Sequence, residues 1–234
     1  MLDRGVVDRI LARYPHASPL VRWHMRGRLR LCPYDGLLKH LTGKGDLLDI
    51  GCGFGHFAWY LAEAMPSLRY FGTDIDARKV DLALGSLSSL KGAAADAGGS
   101  SARLPAFRPG DIMAMEDWSG PYGNITLLDV TYLMPWEFQT RLLTWALGRL
   151  APGPDSALII KTMDAPEGWS GRRALWEEWI MVHLLGRTKS SGTINGTRPF
   201  ATYIAFAHGL GFECEVEAMG TFNPSSVLRF HRQA

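Results

Sequence analysis

Apolar and polar residues follow one another along the chain with two alternating periods, one typical of strands and one typical of helices. Short apolar runs bounded by turn-forming residues predict strands, and longer stretches with apolar residues at every third or fourth position predict helices. The predicted strands cover 46–50, 69–73, 105–109, 124–130, 156–162, 212–219 and 225–232. The predicted helices cover 6–13, 34–41, 56–65, 77–90, 136–150 and 199–209.

The order of these elements indicates the class of fold. Strands that alternate with helices predict a parallel sheet covered by helices on both faces. The last two strands are joined only by Gly-Thr-Phe-Asn-Pro at 220–224, which is too short for a parallel crossover. The sequence therefore predicts a doubly wound α/β fold, with a mostly parallel seven-stranded sheet and an antiparallel last strand.

The stretch 164–197 interrupts this rhythm and is rich in tryptophan, glycine and arginine. Within it, Trp176, Trp179, Ile180 and His183 are spaced so that they share one face of a helix. That spacing fits a helix that faces a bound molecule, and it equally fits an ordinary helix that faces the core. Both interpretations stay open at this point.

The 234 residues carry a net charge of +2, but the charge is unevenly distributed. Residues 1–30 contain seven arginines against Asp3 and Asp8, a net of +5, which leaves −3 for the rest of the chain. A basic N-terminal segment favours an anionic partner. A solvated helix face accounts for the same charge, and the sequence does not decide between the two.

The three cysteines, Cys32, Cys52 and Cys214, lie far apart without a Cys-x-x-Cys pair. This spacing argues against a disulfide scaffold or a zinc site, so no metal is expected. Free cysteines suit a reducing compartment, and the acids and arginines near the N-terminus are unlike a signal peptide. No apolar run approaches the length of a membrane span. The expected location is therefore the cytoplasm.

The sequence LLDIGCGFGHF at 47–57 has a glycine-rich turn directly after a predicted buried strand. Glycines stand at 51, 53 and 55, and His56 occupies the position of the third glycine in the dinucleotide fingerprint GxGxxG. Asp49 stands near the end of the strand, where a carboxylate would repel a pyrophosphate but attract an ammonium group. The turn therefore favours a nucleotide cofactor with an amino-acid end over NAD.

This turn resembles the first motif of the class I S-adenosylmethionine-dependent methyltransferases, and three further motifs follow in the family's order. Gly72-Thr73-Asp74 ends the second strand, where the family has an acid bound to the ribose hydroxyls. Gly110-Asp111-Ile112 stands where the family has an acid near the adenine amino group. Leu128-Asp129-Val130 stands beside the methionine portion. The four motifs cover 46–162, about half of the chain.

The resemblance implies S-adenosyl-L-methionine as cofactor, held by the glycine turn, by the motif acids and by their neighbours. The residues assigned in this way are Asp49, Gly51, Cys52, Gly53, Gly55, Asp74, Ile75, Asp111, Ile112 and Asp129. Asp74 follows Gly51 by 23 residues, close to the roughly 20 expected for an acid that contacts ribose. Asp111 also fits an ordinary turn, and Asp76 fits a helix N-cap better than a ribose contact.

Regions outside the motifs receive roles from the same resemblance. The segment before the first strand commonly folds over the cofactor in the family, so Arg28, Arg26 or Arg30 is expected to bind the cofactor carboxylate or an anionic acceptor. The segment after the fifth strand often covers the acceptor. The expected organisation is a basic N-terminal helical cover at 1–45, a cofactor-binding core at 46–163, an acceptor lid at 164–197 and the C-terminal part of the core sheet at 198–234.

The resemblance implies a methyl-transferring enzyme, and the residues after the fourth strand limit its acceptor. The sequence at 129–132 lacks the Asn/Asp-Pro-Pro-Tyr/Phe clamp of relatives that methylate amino groups of DNA, glutamine or adenine. The aromatic lid favours a small-molecule or lipid-like acceptor methylated at oxygen, and its tryptophans and arginines also suit contact with a membrane surface. Tyr132 and His183 are the candidate catalytic residues.

Two other functions fit parts of the sequence. RNA 2′-hydroxyl methyltransferases set lysine, aspartate, lysine and glutamate around the acceptor, and Asp129 with Lys161 matches the middle pair. Lys39 and Glu213 or Glu215 would have to complete the set, and the weak balance of basic residues outside the N-terminal segment disfavours nucleic acid. A non-catalytic binding subunit would also keep the cofactor motifs. The sequence leaves the oligomeric state open.

Overall fold

The computed structural model describes residues 2–32, 34–91, 104–164, 197–219 and 225–233. Backbone contacts divide the chain into two compact units, Met1–Met115 and Glu116–Ala234. The described strands number seven, three in the first unit and four in the second. Apart from its two end residues, the segment at 164–197 that the sequence predicts as a lid lies outside the described residues.

Among its described residues, the first unit contains five helices and three strands. These are α1 (Arg4–Ala12), α2 (Pro19–Leu31), α3 (Tyr34–Leu38), β1 (Asp46–Ile50), α4 (His56–Ala64), β2 (Arg69–Asp74), α5 (Ala77–Lys91) and β3 (Ala106–Pro109). β2 lies between β1 and β3 and runs parallel to both. The register pairs Leu47 with Tyr70 and Asp49 with Gly72, which aligns the ends of β1 and β2.

The described part of the second unit contains two helices and four strands. These are β4 (Asn124–Leu128), α6 (Trp136–Leu147), β5 (Ala157–Met163), α7 (Phe200–Gly209), β6 (Phe212–Ala218) and β7 (Ser225–Arg232). β4 and β5 are parallel, whereas β7 lies between β5 and β6 and runs antiparallel to both. Leu158, Ile159 and Ile160 are 0% exposed, so β5 is buried on both faces.

The structure confirms the seven predicted strands and the antiparallel pairing of the last two. The predicted helices are also present, although the one expected at 34–41 ends at Leu38 and the one expected at 136–150 ends at Leu147. Among the described residues, no helix combines the length and the apolar character needed to cross a membrane.

The sequence pattern gives no bounds for α2, which the structure places directly after α1. Ser18 caps this helix, because its Oγ accepts a hydrogen bond from the Val21 N–H at 3.4 Å. Val21, Met25 and Leu29 are buried at four-residue spacing along the helix. The arginines and Gly27 between these apolar positions conceal the helical period in the sequence.

Candidate active site

The turn between β1 and α4 has a backbone that favours glycine at three positions. Gly51, Gly53 and Gly55 have φ angles of 80°, 56° and 72°, in the left-handed region. The N–H groups of Gly51 and Cys52 donate to the carbonyl oxygen of Thr73 at 2.7 and 2.9 Å, which ties the turn to β2. Gly55 precedes α4, and no side chain caps this helix. Its first backbone N–H groups can therefore donate to an anionic group of a ligand.

Asp74, the last residue of β2, is hydrogen-bonded to this turn. Its Oδ2 accepts from the Gly53 N–H at 3.0 Å, and its Oδ1 accepts from the Asp76 N–H at 2.9 Å. Each carboxylate oxygen has two lone pairs, so the two backbone bonds leave acceptor capacity for the hydroxyls of a ligand. Asp76 itself accepts from the Arg78 N–H at 3.2 Å, which is the N-cap that the sequence predicts.

Asp49 is buried near the end of β1, with 3% of its surface exposed, and the Tyr70 hydroxyl donates a hydrogen bond to its Oδ2. Burial raises the pKa of the Tyr70 hydroxyl, and the negative charge of Asp49 raises it further. The hydroxyl therefore stays protonated and remains a donor. Burial likewise raises the pKa of the Cys52 thiol, as do the charges of Asp49 and Asp74, so Cys52 is a poor nucleophile.

The third motif, after β3, lies next to the end of β2 within the first unit. The Gly110 N–H donates to the carbonyl oxygen of Asp74 at 3.0 Å. Asp111 accepts at 3.0 Å from the amide two residues further on and so caps a short 3-10 turn. Ile112 is buried, whereas Ile75 is 58% exposed. A hydrogen bond therefore joins the second and third motifs. The bond that Asp111 accepts is the ordinary turn contact that the sequence gives as the alternative to an adenine contact.

The basic N-terminal segment packs against the glycine turn and α4. The Tyr14 hydroxyl donates to the Phe54 carbonyl oxygen at 2.8 Å. The His24 ring meets the Phe54 ring edge to face, with 5.9 Å between centroids. The Arg13 guanidinium lies 4.3 Å from the centroid of the Trp59 ring. Both α1 and α2 are therefore fixed on the part of the first unit that carries the first motif.

The arginines of α2 differ in their surroundings. Arg26 forms an ion pair with Asp8 at 2.9 Å, so its charge is used within the helical cover. His56, the first residue of α4, is buried, and this burial together with the positive charge of Arg28 lowers its pKa to about 3. The charge of Arg28 therefore acts at the start of α4, and the binding of an anion by Arg28 stays a prediction.

Asp129 and Lys161 form a buried ion pair in the second unit. Lys161 Nζ lies 2.5 and 2.7 Å from the two carboxylate oxygens of Asp129, and the side chains are 5% and 6% exposed. The Asp129 N–H donates to the Lys161 carbonyl oxygen at 3.0 Å. Asp129 has a φ of 60°, which is uncommon for a residue other than glycine. Two contacts thus hold an unusual backbone at the end of β4.

The strand register does not favour the glutamates expected beside Lys161 in an RNA-type site. Lys161 lies across β7 from Glu217. Glu213 stands four positions before Glu217 in β6. At roughly 3.3 Å per residue, this places Glu213 about 13 Å along the strand from Glu217. Glu215 pairs instead with Arg229 at 3.5 Å. Among the described residues of this unit, only the aspartate and lysine of the expected set are in contact.

Of the two candidate catalytic residues, Tyr132 lies in the short 3-10 turn Thr131–Leu133 and is 1% exposed. Thr131 in the same turn is hydrogen-bonded to Thr162 of β5, with 3.0 Å between the hydroxyl oxygens. His183 lies outside the described residues. A catalytic role for either residue stays a prediction.

Tyr70 contacts Asp49 of the first motif, and no pattern in the sequence signals that contact. A tyrosine in a strand is ordinarily a core residue, and Tyr70 is indeed buried. Its partner Asp49 is 21 positions away, and only the parallel register brings the two side chains together. Among the described residues, no group of histidine, cysteine and acidic side chains is arranged to hold a metal ion.

Comparison with known proteins adds information on the fold. No protein-family model matches this sequence, and no curated protein matches it. Magnesium protoporphyrin IX methyltransferase (ChlM) from Synechocystis PCC 6803, solved with bound SAH, is 18% identical with a TM-score of 0.63, over 98% of this chain and 95% of its own. Mitomycin 7-O-methyltransferase MmcR is 17% identical with a TM-score of 0.64, over 97% of this chain and 60% of its own.

The pyocyanin biosynthetic protein PhzM is 19% identical with a TM-score of 0.64, over 97% of this chain and 62% of its own. This chain therefore spans less than two thirds of MmcR and PhzM but almost all of ChlM. At such identities the likeness concerns the backbone, and it agrees with the strand pairings described above. The chain has the fold of the class I S-adenosylmethionine-dependent methyltransferases.

Proposed function

We propose that this protein is an S-adenosylmethionine-dependent methyltransferase that methylates a small or lipid-like metabolite at oxygen. The observation that carries the proposal is the bond from the Gly53 N–H to Asp74 Oδ2 at 3.0 Å. It joins a turn of three left-handed glycines to the acid at the end of the next strand. A nucleoside cofactor with an amino-acid end needs both features, the first for close backbone approach and the second for its ribose hydroxyls.

The residues of the first unit fit this cofactor. Asp49 and the glycine turn suit the amino-acid end, and Asp74 suits the ribose. Asp111 with Ile112 and the exposed Ile75 suit the adenine, through a polar edge and apolar contacts. When bound, the cofactor supplies a methyl group on a sulfonium as the electrophile. The protein's part is to position the acceptor, exclude water and receive the proton of the acceptor hydroxyl.

The same residues argue against a dinucleotide. His56 fills the third-glycine position and is buried, so α4 begins with a bulky side chain at that point. Asp49 has a neutral tyrosine as its described hydrogen-bond partner, so its negative charge is not cancelled by that bond. A pyrophosphate on this turn would meet that charge, whereas an ammonium group would be attracted by it.

The proposed acceptor class has separate support. Proteins with this fold include one named a mitomycin 7-O-methyltransferase and one described as an O-methyltransferase family protein. Val130 and Thr131 stand after Asp129 where amino-methylating relatives carry prolines. Tyr132 and His183 are proposed as the groups that act on the acceptor proton, and Asp129 as a contact of the cofactor's methionine portion. A cytoplasmic location and contact with a membrane surface are kept as predictions.

One observation favours a second function, the methylation of an RNA 2′-hydroxyl. Lys161 and Asp129 are in direct contact, as that chemistry requires of its central pair. The position of Glu213 in β6 and the pairing of Glu215 with Arg229 argue against it. Methyl transfer from labelled cofactor to total RNA and to a lipid and metabolite extract, measured side by side, separates the two functions. Tight cofactor binding with no transfer to either would favour a non-catalytic binding subunit.

Calorimetry with S-adenosylhomocysteine tests the cofactor site directly. The substitution Asp74→Ala is expected to weaken binding by about 1–3 kcal/mol, because it removes an acceptor of charge-assisted hydrogen bonds. Asp81→Ala, an exposed acid on α5 in the same unit, is the matched control and should bind like the parent. Equal affinity of a folded Asp74→Ala protein would contradict the ribose assignment. Tighter binding of NAD than of S-adenosylhomocysteine would contradict the proposed function itself.

A further inference from the structure

We propose that Tyr70 is a positioning residue for the amino-acid end of the cofactor and that it acts by holding the carboxylate of Asp49. The inference rests on the proposed function, since it concerns the same cofactor. Its starting point is the buried hydrogen bond from the Tyr70 hydroxyl to Asp49 Oδ2. Tyr70 is not part of any motif of the sequence, and its role follows from the way β1 and β2 pair.

The register brings Tyr70 and Asp49 onto the same face of the sheet. Leu47 pairs with Tyr70 and Asp49 pairs with Gly72, and paired residues of neighbouring strands point to the same side. Tyr70 and Gly72 are two positions apart in β2, so they share that face as well. Tyr70 must therefore pass over Gly72 for its hydroxyl to reach Asp49.

Gly72 leaves the space that this path needs. A Cβ at this position would lie 2.8 Å from Cε1 of Tyr70, and Cβ atoms in proteins essentially never approach another heavy atom within 3.0 Å. It would also lie 3.0 Å from the Cys52 Cβ and 3.0 Å from Cδ1 of Phe107. Any larger residue would push the tyrosine ring away from the carboxylate. The glycine before Thr73 and Asp74 in the second motif is thus explained by the position of the tyrosine.

Packing fixes the tyrosine ring from its other side. The rings of Tyr70 and Phe107 meet edge to face, with 5.8 Å between centroids. Phe107 also fits against Gly55 of the turn, where a Cβ would lie 2.7 Å from its ring atoms. A single aromatic pair therefore supports both the glycine turn and the hydrogen bond to Asp49. Small movements of Tyr70 are restricted by close contacts, which keeps the carboxylate in one orientation.

The chemistry of this bond matters for the ligand. A neutral hydroxyl orients a carboxylate without cancelling its charge, whereas a lysine or arginine in its place would neutralise it. The bond from Tyr70 therefore does not itself remove the attraction of Asp49 for a cationic group, and Tyr70 restricts where that attraction is strongest. The ammonium of the cofactor's amino-acid end is the cation that this arrangement suits. A ligand without the amino-acid end would gain nothing from it.

Binding of two ligands separates positioning from general structural support. S-adenosylhomocysteine carries the amino-acid end, and 5′-methylthioadenosine keeps the adenosine but lacks it. Tyr70→Phe is expected to raise the Kd for S-adenosylhomocysteine about tenfold and to change the Kd for 5′-methylthioadenosine less than about twofold. Tyr60→Phe is the matched control, because the Tyr60 hydroxyl donates to another aspartate of the same unit, Asp35, at 2.5 Å. It should leave both affinities unchanged.

Several outcomes would overturn the inference. One is an equal loss of affinity for both ligands in Tyr70→Phe, which would mean that the substitution disturbs the glycine turn. Another is unchanged affinity for both ligands in folded Tyr70→Phe protein. If that variant does not fold, Asp49→Asn takes its place, since it keeps the shape and removes the charge, and the same selective loss is expected. Failure of the parent chain to bind either ligand would instead refute the proposed function. When the parent binds, the absence of selective loss in Tyr70→Phe refutes the role of Tyr70, and its absence in Asp49→Asn refutes the role of Asp49 on which Tyr70 depends.

Discussion

Two buried aspartates lie at the ends of parallel strands in this protein, and their charges are compensated differently. Asp49 of β1 receives a hydrogen bond from the neutral hydroxyl of Tyr70. Asp129, after β4, is paired with the ammonium of Lys161. A neutral donor stabilises a carboxylate and leaves its charge in place, whereas an ion pair cancels it. The bond to Asp49 thus leaves the charge of that carboxylate in place, whereas the opposite charges of Asp129 and Lys161 hold the backbone at the end of β4.

The two aspartates also differ in backbone conformation. Asp49 lies within a regular strand and pairs with Gly72 across the sheet. Asp129 has a φ of 60°, a conformation that costs roughly 1–2 kcal/mol for an ordinary residue. The Asp129 N–H bond to the Lys161 carbonyl oxygen and the ion pair between the side chains offset that cost. The comparison therefore predicts that the loss of its partner lowers the free energy of unfolding more for Asp129 than for Asp49.

Removal of the cation should have the largest effect. Lys161→Met leaves the carboxylate of Asp129 buried without its counter-charge, and we expect the free energy of unfolding to fall by about 3–5 kcal/mol. Urea denaturation of the parent and variant measures this loss. The double variant Lys161→Met/Asp129→Asn removes both charges and keeps a residue that tolerates positive φ, so it should recover part of the stability. A loss below about 1 kcal/mol in the single variant would show that the pair is not tightly buried.

Acid pH should reveal how the first unit avoids buried positive charge. The pKa of His56 is lowered to about 3, mainly by burial, so the unfolded chain binds a proton at His56 below about pH 6.5 while the folded chain does not. The contribution of His56 to the free energy of unfolding is therefore fully present above that pH. It is lost as the pH falls towards 3, by about 2 kcal/mol between pH 6.5 and 4.5. Denaturation of the parent and of His56→Gln at several pH values compares how steeply the free energy of unfolding depends on pH in the two proteins. An identical slope in the variant would mean that His56 is not the group responsible.

Removal of the neutral donor should cost less than removal of the cation. Tyr70→Phe deletes one buried hydrogen bond, and the free energy of unfolding is expected to fall by about 1–2 kcal/mol. The ring and its contact with Phe107 remain, so no cavity is created. The same denaturation series that measures Lys161→Met provides the comparison. A cost as large as that of Lys161→Met would mean that the two aspartates do not differ as proposed.

The smallest effect is expected on the helical cover. Arg28→Lys keeps the positive charge near His56 but removes the planar fork that binds a carboxylate with two hydrogen bonds. Its affinity for S-adenosylhomocysteine should fall about fivefold, or roughly 1 kcal/mol. Arg26→Lys is the control, since Arg26 already pairs with Asp8. Equal affinities for the parent and both variants would reduce α2 to a positively charged surface.

Much of the fold could be predicted because its signals are local. The strand β1 is an apolar run that ends at glycines, and α4 ends just before Pro66, so neither depends on distant residues. α2 was harder, since buried Met25 and Leu29 alternate with arginines whose charged ends reach water. The motif acids were predictable for the same local reason, because Asp49 and Asp74 each stand at the end of a recognisable strand.

The sequence by itself determined the order of strands and helices, the glycine turn and the acids at the strand ends. Tertiary structure alone decided which neighbour each acid has. The register of β1 with β2 brings the Tyr70 hydroxyl to Asp49, and the pairing of β4 with β5 brings Lys161 to Asp129. The reason is physical: propensity and apolar period act over a few residues, whereas the charge state and direction of a buried carboxylate depend on side chains far away in sequence.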